Sequence, residues 1–187
     1  MVILLRVTKE DVEKINNLLG QLFRKDNVIP EWDVAKNSMD AYTRSLYCPR
    51  VDFAVGPFNI DANVHQNQRL INEMYEKHMR FIEQLKSKSD KRSRELSLNK
   101  NPRCFLAIEI ENKTSRKHRL GSLVNASVLG KVGIILAWNP KVFQSFVKIL
   151  NYLEYAESVG KQRYGIQNAL IVEKEDFFET CELSTRT

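Results

Sequence analysis

At 187 residues the chain has the length of one domain, and 43% hydrophobic residues are enough for a sizeable core. Lys and Arg total 29 against 23 Asp and Glu, a formal charge of +6, which favours polyanionic partners such as DNA or RNA. The three cysteines are far apart without CxxC spacing and the three histidines show no zinc-ligand pattern, which argues against a disulfide framework and a zinc module.

Thr8-Lys9-Glu10-Asp11 reads as a helix start, with a hydroxyl N-cap and acids in the first turn. Val12, Ile15, Leu18, Leu19 and Leu22 then share one face, and the spacing predicts a helix over about 8–24. Pro30 and Trp32 interrupt the chain, and Val34 to Leu46 forms an expected second helix that stops before Pro49. Arg50 to Gly56 alternates as a strand, with Val51, Phe53 and Val55 on one face and Asp52 on the other, closed by Gly56-Pro57.

A long amphipathic helix is expected from Asn63 to Leu85, running into a polar loop from Lys86 to Arg94. Between Lys86 and Arg103 seven basic residues stand against Asp90 and Glu95, a surface for phosphate or a solvated loop. Cys104 to Ile110 is a strongly apolar strand ending in Glu111-Asn112-Lys113. Thr114 or Ser115 caps a helix through about Leu129, and Lys131 to Trp138 is a third strand. Asn139-Pro140 opens a helix to about Gly160, and a last strand runs near Ala169 to Val172. Helices alternating with short hydrophobic strands predict a single α/β domain with a mixed central sheet. The apolar start Val2-Ile3-Leu4-Leu5 is too short for a signal-peptide core, and no run approaches the ~18 apolar residues of a membrane span, so a soluble cytoplasmic protein without a membrane partner is expected.

The stretch Phe105 to Lys113 carries the chemistry. Alternate strand residues share a face, so Glu109, Glu111 and Lys113 project together while Leu106, Ile108 and Ile110 enter the core. Carboxylates leaving water need a partner or a metal, so an otherwise buried strand with three charges on one side points to function. The same pattern also suits an edge strand with one wet face.

Asp52 on an earlier strand, within Pro49-Arg50-Val51-Asp52, and Glu111-Asn112-Lys113 at the end of the next, followed by a capped helix and a third hydrophobic strand, resemble the PD-(D/E)xK nuclease family, which includes restriction endonucleases and archaeal Holliday-junction resolvases. The resemblance spans about residues 45–140. It implies a restriction-endonuclease-like three-layer core, with about 60–102 as a helical and basic-loop insertion. It further implies a Mg²⁺- or Mn²⁺-dependent endonuclease acting on DNA, with Asp52 and Glu111 as metal ligands and Lys113 activating or orienting the attacking water. Hard divalent cations suit carboxylate oxygens, and a compact ammonium suits the developing negative charge. Glu109 stands either as a further metal ligand or as a structural partner of Lys113.

Arg50, Arg103, Arg116, Lys117 and Arg119 are candidate nucleic-acid contacts; the last three surround His118 near a helix start, where dipole and side chains favour anions. Asp52 has an alternative role as a carboxylate paired with Arg50 or Arg103, and Asp61 as an N-cap. Trp138 and Tyr152 read as core residues. No P-loop or GxGxxG spacing and no Gly-x-Ser-x-Gly elbow occurs, so neither a nucleotide cofactor nor a serine hydrolase is expected. A non-catalytic nucleic-acid-binding or protein-interaction subunit retaining the nuclease fold is the alternative to the enzyme. A homodimer is plausible chemistry for cutting two strands, with the apolar face of the 63–85 helix either forming its interface or packing on its own sheet.

Overall fold

A capping box starts the first helix: Asp11 N–H donates to Thr8 Oγ1 at 3.2 Å, and Thr8 N–H donates back to Asp11 Oδ2 at 2.9 Å. This helix, α1 (Lys9–Phe23), buries Ile15, Leu18, Leu19 and Phe23, the face its spacing predicts. The computed structural model describes residues 7–37, 49–59, 64–90, 96–112, 115–161 and 165–186.

A short 3₁₀ turn leads to a strand that the sequence reading missed, β1 (Val28–Asp33), followed by one helical turn, α2 (Val34–Asn37). The rest of the expected second helix lies outside the described residues. The next strand is β2 (Arg50–Val55). The expected single helix over 63–85 is two helices, α3 (Val64–Lys77) and α4 (Met79–Lys88), meeting at His78. The chain then forms β3 (Cys104–Glu111), α5 (Arg116–Leu129), β4 (Gly130–Ala137), α6 (Pro140–Ser158), β5 (Ala169–Glu173) and α7 (Lys174–Thr185). Asn139 caps α6 by accepting from Val142 N–H at 3.1 Å, with Pro140 in the first turn. Ser115 caps α5 without a side-chain hydrogen bond.

The five strands lie in sequence order. β1–β2 and β2–β3 are antiparallel, whereas β3–β4 and β4–β5 are parallel and joined by the crossover helices α5 and α6. β3 is therefore the central strand, which rules out a wet-faced edge strand as the reason for its charges.

Helices cover both faces. On one, α1, α3, α4 and α7 bring Ile15, Phe23, Ile71, Ile82 and Phe177 onto Phe53, Leu106, Ile108, Ile134 and Leu170. On the other, α5 and α6 bring Leu123, Ala126, Phe146 and Leu150 onto Ile135, Ala137, Ala169 and Ile171. Each large side chain so buried contributes roughly 1.5–3 kcal/mol. On the apolar face of α3 and α4, Ile71, Ile82 and Leu85 are fully buried on the sheet of their own chain, while Leu70 and Met79 stay exposed. Among the described residues, no helix is long and apolar enough to cross a membrane.

One local prediction fails in β2. Val51 does not share a face with Phe53 and Val55; it packs with Trp32, Ala54, Ala107 and Leu129 on the α5 side. The cause lies across the strand pair. Pairing holds at Pro30↔Phe53 and Trp32↔Val51 but lapses between them, where Glu31 adopts a left-handed φ of 50°. The twist there turns Asp52 out of simple alternation.

A candidate carboxylate site on the central strand

β3 aims alternate side chains at opposite layers. Leu106 and Ile108 enter the α1 layer, while Glu109 and Glu111 face α5. Both glutamates are buried, at 9% and 6% exposure. One turn of α5 receives them: Asn125 Nδ2 donates to Glu109 Oε1 at 3.2 Å, and Ser122 Oγ donates to Glu111 Oε2 at 3.3 Å. Asn125 Nδ2 also reaches the Arg50 carbonyl at 3.3 Å, so one amide ties α5 to β2 and β3 together. The end of β3 is fastened to the next unit, since Trp138 N–H donates to the Glu111 carbonyl at 3.0 Å and Asn139 Nδ2 to Asn112 Oδ1 at 3.1 Å.

Asp52 joins this group from β2. The β2–β3 ladder pairs Phe53 with Ile108 and goes no further. At the next position Asp52 Oδ2 accepts from Ile110 N–H at 2.6 Å, so a carboxylate replaces the missing backbone acceptor. Strand N–H groups point along the sheet, which places this oxygen between the two strands. Asp52 also lines a cavity of about 220 Å³ with Val12, Pro30 and Ile110 on the α1 side.

The electrostatics register the crowding. Burial, reinforced by the charges of Asp52 and Glu111, pushes the Glu109 carboxyl up to about 8; the Asn125 hydrogen bond and Arg50 oppose the shift. At neutral pH a large share of Glu109 therefore carries a proton.

These oxygens have the chemistry that a hard divalent cation requires, and a cation would offset the burial and the neighbouring charges that keep Glu109 protonated. Glu109 and Glu111 are the pair that fits it. Among the described residues, however, no three His, Cys, Asp or Glu side chains converge into a group able to hold an ion, and Asp52 is engaged by β3.

The structure thus brings Asp52, Glu109 and Glu111 together, whereas Lys113 lies outside the described residues, as do Asp61 and the side chains of Arg116 and Lys117. The other basic candidates do not form one patch. Arg50 pairs with Glu31. Arg103 is held by the Asn59 carbonyl at 3.3 Å at the opposite end of β3, ~25 Å along the strand from Glu111. Arg119 is buried, with Nε donating to the Ser115 carbonyl at 3.3 Å. Of the expected basic loop, Lys86 and Lys88 belong to α4, and Lys88 reaches Glu179 of α7 at 2.7 Å. Trp138 is core as expected, but Tyr152 is 66% exposed.

Sequence reasoning missed Ser122 and Asn125. Their signal was a polar pair at i, i+3 beside the apolar Leu123 and Ala126. No family model matches the chain, and no curated protein or solved structure proved similar to it.

Proposed function

We propose that the chain is a divalent-metal-dependent nuclease of restriction-endonuclease-like fold, hydrolysing phosphodiester bonds in DNA. The observation that carries this reading is the burial of Glu109 and Glu111 on one face of the central strand, with the charge of Asp52 acting on Glu109 from β2, at a cost that folding alone does not reward. The mixed three-layer order, with the carboxylate-bearing strands adjacent and a crossover helix after the second, agrees with the arrangement the resemblance implies.

When bound, Mg²⁺ or Mn²⁺ lowers the pKa of an attacking water and offsets charge on the phosphoryl oxygens. Glu109 and Glu111 would hold it. Asn125 and Ser122 orient the two carboxylates from behind, which fixes their oxygens before substrate arrives. Asp52 acts beside them by its charge, and by resemblance Lys113 positions the water.

A second reading has its own support. Asp52 is committed to Ile110 N–H, and among the described residues three ligands do not converge, as suits a non-catalytic binding subunit with the same fold. Calorimetric titration of Mg²⁺ or Mn²⁺ separates the two. The enzyme reading predicts binding by the wild type that vanishes in a Glu109→Gln, Glu111→Gln double variant. A wild type that takes up no metal, with or without DNA, would leave the binding subunit.

A further inference from the structure

The outer layer on the carboxylate side carries a groove that the site does not use. It runs between α5 and α6, encloses about 820 Å³ and is lined by Arg119 and Leu120 of α5 and by Lys141, Lys148, Ile149 and Tyr152 of α6, among others. Lys141, Lys148 and Tyr152 stand at i, i+7 and i+11, so they share one helix face over ~16 Å. All three are exposed, and Tyr152 presents most of its ring to solvent. Among the described residues none of the lining side chains is acidic.

The place of the groove matters as much as its charge. α5 and α6 begin where the parallel strands β3 and β4 end, the edge at which open α/β sheets receive ligands. Arg119 precedes Ser122 by one turn, and Ser122 holds Glu111. One end of the groove therefore lies a single turn of α5 from the serine that bonds Glu111.

We propose that this groove binds a single nucleic-acid strand, its phosphates on Lys141 and Lys148 and a base against Tyr152. A cationic track with an exposed aromatic ring on an apolar floor is what an unpaired strand requires, since every base offers a face to stack while the phosphates demand positive charge. A duplex, with its bases already stacked, has no use for Tyr152. An acidic peptide would answer the lysines but not the ring. The proposal rests on the nuclease reading for its sense, the groove delivering one strand to the carboxylates, but its test does not.

The test measures fluorescence anisotropy of a labelled oligothymidylate with the full chain in a metal chelator, so that the carboxylates take no part. The Lys141→Glu, Lys148→Glu double variant should bind about tenfold or more weakly, with the slope of log K against log salt smaller by about 1.4. Tyr152→Ala should weaken binding about fivefold or more, and Tyr152→Phe should restore it. Both lysines and the tyrosine are surface residues, and unchanged thermal melts confirm the fold of each variant. Wild-type affinity in the variants overturns the proposal. So does displacement by polyglutamate with no effect of Tyr152→Ala, which makes the groove a site for any polyanion. If the wild type binds the oligonucleotide in chelator through these three residues while no metal-dependent cutting is found, the nuclease reading falls and the groove stands.

Discussion

Glu109 shows how one residue couples the candidate site to stability. Its carboxyl titrates at about 8 in the fold, against an ordinary value of 4.5. A group whose folded value is raised binds its proton more tightly in the native state. Its contribution is fully present below about pH 4.5 and is lost as pH rises through 8. Without divalent metal, the melting temperature should therefore fall by several degrees between about pH 5 and pH 9. Glu109→Gln keeps the carbonyl that accepts from Asn125 and removes the charge, so it should flatten that profile and raise stability at the alkaline end. An unchanged profile would mean that Glu109 is ionised throughout. Asp52 permits a sharper dissection. Asp52→Asn retains an oxygen for Ile110 N–H and should fold with little loss, whereas Asp52→Ala leaves that donor without its acceptor and should cost about 1–2 kcal/mol in denaturant unfolding. Equal stability of the two variants would show that the hydrogen bond contributes nothing.

Among the elements, α5 sits close against β4 at Gly133. A Cβ added at Gly133 would lie 2.8 Å from the Ala126 backbone carbon and 2.9 Å from its oxygen, so Gly133→Ala should push α5 off the sheet, destabilise by about 1–3 kcal/mol and disturb the Ser122 and Asn125 contacts with the glutamates. A melting temperature equal to wild type would refute the contact. The sequence announced such elements unevenly. The Thr8-to-Asp11 capping box, the Asn139-Pro140 start and the apolar runs of β3, β4 and β5 are local signals, and each stands where expected. β1 was hidden because Pro30 lies inside it, and proline is tolerated in a strand only at an edge, a position the sequence does not reveal. The break at His78 was hidden because apolar spacing runs on from Ile71 to Ile82 across it; His78 N–H still reaches the carbonyls of Met74 and Tyr75, and its ring packs on Phe23 at 4.7 Å. α7 followed β5 without a turn signal, its acidic first turn at Glu175 and Asp176 being the one clue.

At the scale of the whole molecule, alternation in β3 sufficed to place Glu109 and Glu111 together, and strand order brought Asp52 beside them. Their burial by α5, the commitment of Asp52 to β3 and the exposure of Tyr152 arise from packing between distant segments, which spacing along the chain does not encode. The basic residues split accordingly: Arg103 serves the far end of β3 and Arg50 pairs with Glu31, while Lys141 and Lys148 line the groove beside Arg119. Two buried glutamates and the lysines of the groove thus stand on the same side of the sheet.

The most direct measurement is nicking of supercoiled plasmid in Mg²⁺ or Mn²⁺ by the wild type, Glu111→Gln and Lys113→Ala. Metal-dependent nicking by the wild type, lost about 100-fold or more in both variants while their melting temperatures and oligonucleotide binding hold, is the predicted result. Nicking that persists in Glu111→Gln, or a wild type that never nicks while binding DNA, would contradict the assignment of these carboxylates to phosphodiester hydrolysis.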